Sequence, residues 1–102
     1  MTSTQPGSST PQGGGTVTVR YWASARAAAG VDSDTVAVGS GTTLAELLKE
    51  VHDLHPDRPR LAQVVSVCSV LVGDRPVGAT NPADVVLAPG DTVELLPPFA
   101  GG

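Results

Sequence analysis

The chain has 102 residues, of which 40% are hydrophobic and 16% are charged, enough apolar content for one modest domain. A net charge of −4, with one residue each of Trp, Tyr and Phe, argues against a nucleic-acid partner, which needs a basic face or an aromatic stacking platform. A lone cysteine excludes an internal disulfide, and we expect neither a secretory signal nor a membrane span. These features predict a cytoplasmic protein.

The first 15 residues differ in composition from the rest of the chain. They carry no charge and no aliphatic or aromatic side chain beyond Met1. Such a segment cannot bury enough apolar surface to offset the entropy lost on ordering it. We therefore predict a disordered N-terminal tail over 1–15, a folded domain over 16–96 and an extended C-terminal tail over 97–102.

The predicted domain begins with a strand that gives way to a helix. Residues 16–23 have apolar side chains at alternate positions, which predicts a strand with one buried face. The alanine-rich stretch 24–29 favours a short helix, with Ser24 as its N-cap and Gly30 in the left-handed position after it. Residues 35–38 predict a second short strand.

The clearest element is a helix over residues 44–55. Thr43 and Glu46 have the spacing of a capping box, in which each side chain accepts a hydrogen bond from the other residue's backbone amide. Apolar residues then recur at helical spacing and form one stripe: Leu44, Leu47, Leu48, Val51 and Leu54. Pro56 ends this helix, and Pro59 can begin a short helical turn over 60–65.

Further strand segments complete the pattern. Residues 69–72 and 75–77 flank a Gly-Asp turn, 79–87 is irregular, and 92–96 alternates until Pro97 ends the strand. Two strands, a long helix and more strands predict an α+β protein with a mixed sheet and one main helix packed across it. The first and last strands would run parallel in the sheet, which is the β-grasp, ubiquitin-like arrangement.

Alternation places two large apolar side chains on the face of the sheet that points away from the helix. If Val19 and Tyr21 face the helix, Trp22 faces away from it. Leu96 faces away for the same reason, because its neighbour Leu95 points inward. Two interpretations stay open, since these residues are either scattered exposed apolar side chains, which are ordinary, or a patch that binds a partner.

The last six residues have an unusual composition for a chain end. Pro97 and Pro98 favour a stiff, extended exit from the strand, and Phe99 is a large apolar residue. Gly101 and Gly102 have no side chains, so they can thread a channel that a Cβ atom would block. An α-carboxylate at Gly102 is a poor electrophile until a partner activates it, for example by adenylation.

These features resemble the MoaD/ThiS family of ubiquitin-like sulfur carriers. The resemblance covers about residues 17–102 and rests on the stretches 19–26, 43–48 and 87–102. Its most specific part is the Pro-Pro-x-x-Gly-Gly ending, which is similar to that of the carriers of molybdopterin synthase and which thiazole-pathway carriers usually lack. Phe99 stands where valine is commoner in the family, and the N-terminal extension is not part of the family pattern.

The resemblance implies a function as well as a fold. An E1-like enzyme would adenylate Gly102 with ATP and magnesium, and a sulfur donor protein would convert the adenylate to a thiocarboxylate. The large subunit of molybdopterin synthase would then use that sulfur on cyclic pyranopterin monophosphate, in molybdenum cofactor biosynthesis. The chain itself would bind no cofactor and no metal, and it would be the sulfur-donating, non-catalytic subunit of a sulfurtransferase complex.

The resemblance also implies which residues meet the partners. Gly101 and Gly102 would carry the reactive group. The residues expected to contact partners lie near the end of the first strand and along the tail: Trp22, Arg26, Leu96, Pro97, Pro98, Phe99 and Ala100.

The remaining candidate groups favour structural roles. Cys68 lies in the apolar stretch 67–72, which includes the predicted middle strand, so we expect a buried, inert thiol rather than one that handles sulfur. His52 and His55 are three residues apart on the predicted helix, and without a third ligand they indicate a solvated helix end rather than a metal site. No pattern of Ser, His and Cys predicts a self-contained active site.

Three functions stay open at this point. The chain is predicted to be the sulfur carrier for molybdopterin, a carrier for another pathway such as cysteine or thiamine thiazole synthesis, or a ubiquitin-like protein modifier or interaction module. Deleting Gly101 and Gly102 would abolish the activity of any carrier but not of a plain interaction module.

Overall fold

The protein is built around a mixed five-stranded sheet. The structure is a computed structural model that describes residues 14–98. The strands are β1 (Gly15–Tyr21), β2 (Ser33–Val38), β3 (Ser69–Val72), β4 (Arg75–Pro76) and β5 (Thr92–Leu96). The helices are α1 (Ala23–Ala29), α2 (Leu44–Leu54) and α3 (Arg60–Val67), and a 3-10 turn spans Pro82–Asp84. Residues 1–13 and 99–102, on which most of the predicted tails fall, lie outside the described residues.

The strand order is β2-β1-β5-β3-β4. β1 and β5 run parallel, with Thr18 opposite Thr92 and Tyr21 opposite Leu95. Parallel neighbours need a crossover connection, and the segment that contains α2 and α3 lies between them in the chain. β2 pairs antiparallel with β1, and β3 pairs antiparallel with β5. The prediction of an α+β, β-grasp fold is therefore confirmed.

The core joins one face of the sheet to the three helices. Its buried residues form a single cluster: Val17, Val19, Tyr21, Ala25, Ala29, Val36, Val38, Leu44, Leu47, Val51, Leu61, Val65, Leu87, Val93 and Leu95. The predicted stripe of α2 supplies three of them, whereas Leu54 at the end of that helix is 44% exposed. Each Val or Leu side chain buried in this way stabilises the fold by about 1.5–3 kcal/mol, so the cluster holds helices and sheet together.

Local hydrogen bonds define the ends of α1 and α2. Thr43 Oγ1 accepts a hydrogen bond from Glu46 N at 3.2 Å, and Glu46 Oε1 accepts one from Thr43 N at 2.9 Å, which confirms the capping box. Gly30 follows α1 with a φ of 82° and donates its N–H to Arg26 O at 2.8 Å. The predicted left-handed position of Gly30 is confirmed as well.

The predicted boundary between β1 and α1 is wrong. β1 ends at Tyr21 and α1 begins at Ala23, so Trp22 rather than Ser24 is the N-cap residue, and its side chain does not cap the helix. The backbone turns with Ala23 at a φ of 48°, in the left-handed region that favours glycine. The turn comes earlier than helix propensity indicates because Trp22 N pairs with Leu95 O, at 3.2 Å, and keeps the chain beside β5.

Other segments are more regular than predicted. β1 begins at Gly15 and β2 at Ser33, because the two strands pair with each other over that length. α3 runs on to Val67, so Cys68 is the C-cap residue of a helix and not part of a strand. The 3-10 turn lies within the stretch predicted to be irregular. None of the described helices is long and apolar enough to cross a membrane.

Candidate docking surface

The face of the sheet opposite the helices, called the open face below, carries the residues that alternate with the buried ones. Cross-strand pairing places Arg20 of β1 beside Glu94 of β5. Glu94 has Leu71 of β3 on its other side, and Leu96 lies beside Ser69 two pairs further along. The open face therefore combines one charged pair with large apolar side chains near the end of β5.

Four apolar side chains lie on the open face, and we name them together the open-face strip: Trp22, Leu96, Leu71 and Pro76. Leu71 and Leu96 are half-buried, whereas Pro76 and Trp22 are exposed. Leu71 and Pro76 were missed by sequence reasoning, because their place depends on the pairing of β3 with β5 and β4. The alternation within 69–72 was the one signal that could have found Leu71.

Trp22 is held by two polar contacts on this face. Its indole Nε1 donates a hydrogen bond to Glu94 Oε1 at 2.9 Å. The guanidinium carbon of Arg20 lies 4.7 Å from the centroid of the ring, a cation–π contact. Trp22 nevertheless remains 38% exposed, so its polar edge is occupied while part of its apolar surface is open to solvent.

Arg26 pairs with an acidic residue and not with the open-face strip. Its Nη1 lies 3.6 Å from Asp32 Oδ1, and the two side chains are 62% and 85% exposed. An exposed ion pair of this kind contributes about 0–1 kcal/mol, because water and salt screen it. The Arg26 guanidinium can therefore exchange Asp32 for an acidic group of a partner at little cost.

β5 brings the chain to its tail directly beside the open-face strip. Leu96 is the last residue of the strand, Pro97 is buried, and Pro98 is exposed. Pro97 therefore packs within the protein, whereas Pro98 is open to solvent. The other tail residues predicted to reach a partner, Phe99, Ala100, Gly101 and Gly102, lie outside the described residues.

The sole cysteine has the surroundings of an unreactive thiol. Cys68 is half-buried, and its Sγ donates to Val64 O at 3.2 Å. Burial raises the pKa of this thiol to about 11, so it is protonated near neutral pH. It lines a groove of about 540 Å³ between α2, α3 and β3, whose walls include Leu48 and Val70. The thiol is therefore less buried than predicted, because Cys68 caps a helix, and its low reactivity stays a prediction.

The two histidines differ in their surroundings. His52 is half-buried and lines the same groove. His55 was predicted to be solvated, and this is wrong, because its side chain is 13% exposed and its Nε2 bonds Asp34 Oδ2 at 2.5 Å. The same oxygen accepts a hydrogen bond from the Tyr21 hydroxyl at 2.7 Å. Burial, and then the Asp34 carboxylate, raise the pKa of Tyr21.

Among residues 14–98, no three His, Cys, Asp or Glu side chains are grouped so that they could hold a metal ion.

The fold and the open face together define a class of protein. A β-grasp sheet with parallel first and last strands ends in a tail that emerges beside an exposed apolar strip. Within the described part of the chain, the thiol is protonated and the other potential ligands do not cluster. This is the architecture of a ubiquitin-like protein.

Comparison with known proteins gives the family. The sequence pattern of the ThiS family matches residues 19–102, and the chain belongs to this MoaD/ThiS family of ubiquitin-like sulfur carriers. It is 32% identical over 87 residues to the molybdopterin synthase sulfur carrier subunit of Chlamydomonas reinhardtii, across 84% of this chain and 98% of that protein.

Two solved structures share the fold. Small archaeal modifier protein 1 of Haloferax volcanii superposes with a TM-score of 0.72 at 22% identity, over 86% of this chain and 100% of that one. The complex of subunits 1 and 2 of the molybdopterin-converting factor of Helicobacter pylori contains a chain with a TM-score of 0.55 at 22% identity, covering 85% of this chain and 99% of that one. At these identities the likeness extends to the fold alone.

Proposed function

We propose that this chain is the sulfur carrier subunit of molybdopterin synthase. The observation that carries the proposal is the similarity to the Chlamydomonas reinhardtii carrier subunit, which extends over 98% of that protein. The family match also reaches the final Gly102, so it includes the Pro-Pro-Phe-Ala-Gly-Gly ending. Both observations support chemistry at the terminal carboxylate rather than at a side chain of the folded body.

The reacting group in this proposal is the α-carboxylate of Gly102. An E1-like enzyme binds ATP and magnesium, a carboxylate oxygen attacks the α-phosphorus of ATP, and pyrophosphate leaves. Sulfide supplied by a donor protein then displaces AMP from the acyl adenylate and leaves a thiocarboxylate. The thiocarboxylate gives its sulfur to cyclic pyranopterin monophosphate, and water restores the carboxylate oxygen.

The folded body delivers and docks that carboxylate. Pro97 is buried and fixes the start of the tail, and the five residues beyond it reach about 17 Å when extended. Phe99 and Ala100 would lie inside a narrow channel of the partner, and Gly101, which has no side chain, would pass through its narrowest part. The open-face strip and Arg26 would bind first the E1-like enzyme and later the large subunit. In support, the Helicobacter pylori relative was solved as a complex of subunits 1 and 2.

Intact-mass measurement tests the carrier step. The chain is incubated with ATP, magnesium, a sulfide source and an E1-like adenylating enzyme of the molybdopterin pathway. We expect a mass gain equal to one sulfur atom replacing one oxygen atom. The matched control is a chain that lacks Gly102, which should not change in mass, and the starting mass verifies that the chain ends at Gly102. An unchanged wild-type mass beside a demonstrably active enzyme would contradict the proposal.

A second stage identifies the acceptor. The thiocarboxylate form is mixed with the large subunit of molybdopterin synthase and cyclic pyranopterin monophosphate. Formation of the dithiolene product, with the carrier returning to its carboxylate mass, is the expected result. A carrier that keeps its sulfur here but gives it to a cysteine or thiazole-forming enzyme would belong to another pathway.

A protein-modifier function is the second candidate, because small archaeal modifier protein 1 of Haloferax volcanii has a closely similar fold. A modifier would join Gly102 to a lysine amine of a target as an amide. Cell extracts that contain a tagged copy of the chain should then show covalent conjugates of higher mass, lost when Gly102 is deleted. Their absence, together with sulfur transfer in the reconstituted system, would favour the carrier.

A further inference from the structure

We infer that Arg20 and Glu94 are positioning residues that hold Trp22 as a rigid anchor for the protein that docks on the open face. The inference depends on the proposed function only for the identity of that protein, the large subunit of molybdopterin synthase. Its physical basis lies within the chain, in contacts that fix one exposed aromatic side chain from several directions.

The indole ring is fixed by two side chains of neighbouring strands. Glu94 Oε1 accepts from Trp22 Nε1 at 2.9 Å, and the guanidinium carbon of Arg20 lies 4.7 Å from the ring centroid. Arg20 of β1 and Glu94 of β5 lie opposite each other in the strand register, so both side chains reach the ring from neighbouring positions on the same face. A hydrogen bond to one edge and a cation over one face restrict both rotatable bonds of the side chain.

The backbone of Trp22 is fixed as well. Its N–H donates to Leu95 O at 3.2 Å, and its carbonyl accepts from Ala25 N at 2.8 Å and from Arg26 N at 3.3 Å. The next residue, Ala23, has a φ of 48°, a conformation that a non-glycine residue adopts only at a cost. The fold thus maintains an unfavourable turn at the position that presents Trp22 on the open face.

These contacts determine what kind of partner surface fits. Because Glu94 already satisfies the indole N–H, the partner needs no hydrogen-bond acceptor in the slot that receives the ring. Because Arg20 covers one face of the ring, the partner contacts the remaining face and edge. The anchor therefore fits an apolar slot, and binding loses little side-chain entropy because the ring is ordered beforehand.

The single tryptophan makes the positioning directly measurable in the free protein. We expect Glu94→Ala to lower the fluorescence anisotropy of Trp22 and to shift its one indole N–H resonance while speeding exchange of that proton with water. Glu94→Gln keeps an acceptor oxygen and should restore most of the wild-type signal. Asp74→Asn, which removes an exposed carboxylate in the turn between β3 and β4, is the matched control and should change neither.

Binding to the large subunit then tests the consequence. We expect Glu94→Ala and Arg20→Ala each to weaken the affinity about three- to tenfold, the cost of ordering one side chain on binding. Trp22→Ala should weaken it more, as loss of a buried aromatic anchor does. If Glu94 acts through the indole, Glu94→Ala should cost affinity in the wild-type background and almost nothing in a Trp22→Phe background.

The outcomes separate this inference from the proposed function. Unchanged anisotropy and an unchanged indole resonance in Glu94→Ala would overturn the inference, whatever the partner. An equal loss of affinity from Glu94→Ala in both backgrounds would also overturn it, since Glu94 would then touch the partner directly. Failure of the wild-type chain to bind the large subunit would count against the proposed function, while the measurements on the free protein still decide the positioning roles.

Discussion

Replacing Tyr21 by phenylalanine would test the hydrogen-bond network that joins β1, β2 and the end of α2. The Tyr21 hydroxyl is buried and donates to Asp34, which also bonds His55. A hydrogen bond to a charged group contributes about 1.5–3 kcal/mol, and we expect the lower end, about 1.5 kcal/mol, because Asp34 keeps its bond to His55. For a domain of this size, that loss lowers the melting temperature by roughly 6–12 °C.

The same contact makes the stability depend on pH in the alkaline range. Burial, and then the bond to the Asp34 carboxylate, raise the pKa of Tyr21 above its ordinary value of 10.0. The unfolded chain therefore releases the phenolic proton at a lower pH than the folded chain does. The stability due to this group is complete below pH 10 and decreases as the pH rises further. Burial raises the pKa of Cys68 from 9.0 to about 11, so ionisation of this thiol also lowers the stability at alkaline pH. The effect of Tyr21→Phe is therefore measured in a Cys68→Ser background, which removes the contribution of the thiol.

Urea unfolding followed by circular dichroism, repeated from neutral to alkaline pH, measures both effects. Because the chain has one tyrosine, the ultraviolet absorbance of tyrosinate reports on Tyr21 alone and should rise only as the protein unfolds. Thr16→Val removes a hydroxyl from an exposed position of the same strand and should change the stability by less than about 0.5 kcal/mol. The reasoning would be refuted if Tyr21→Phe, made in the Cys68→Ser background, unfolded at the same urea concentration as Cys68→Ser alone and lost the same stability at alkaline pH.

Three further predictions concern local chemistry. Thr43→Ala should lower the free energy of unfolding by about 1 kcal/mol, because it removes the capping bond to Glu46 N, whereas Thr43→Ser should not, and urea titration measures both. Cys68 should react with iodoacetamide at pH 8 about 100-fold more slowly in the folded than in the unfolded chain, by mass spectrometry, and equal rates would contradict its raised pKa of about 11. Gly30→Ala should cost about 1–2 kcal/mol in thermal unfolding, because of its φ of 82°, whereas Gly39→Ala, with open space around it, should be nearly neutral.

Elements determined by near neighbours in the sequence were predictable. The capping box of α2 needs only the residue types at positions 43 and 46, and the left-handed position after α1 needs only Gly30. The apolar stripe of α2 and the alternation of β1 and β5 likewise depend on periodicity within one segment. The predicted β-grasp topology rests on these local signals taken in order along the chain, whereas the family resemblance rests on the stretches 19–26, 43–48 and 87–102.

Features that depend on contact between distant segments were not predictable. The N-cap at Trp22 follows from the pairing of β1 with β5, and no local rule opposes Ser24 at that position. The places of Leu71 and Pro76 depend on the register of β3. The burial of His55 requires Asp34, which lies 21 residues earlier in the chain. The Trp22–Glu94 bond joins residues 72 apart, and alternation alone could show only that both side chains lie on one face.

The parallel pairing of β1 and β5 connects the core, the open face and the start of the tail. It buries Tyr21 beside Leu95, places Arg20 beside Glu94, and ends with Leu96 at the start of the tail. A change in the core at Tyr21 is next in sequence to Trp22, the proposed docking anchor. If the carrier function holds, Tyr21→Phe should raise the KM of the E1-like enzyme for this chain and leave kcat nearly unchanged, because the proposed reaction occurs at the α-carboxylate of Gly102 and the substitution removes a hydroxyl that bonds Asp34. A fall in kcat with an unchanged KM would instead mean that the tail, and not the sheet, responds to the core.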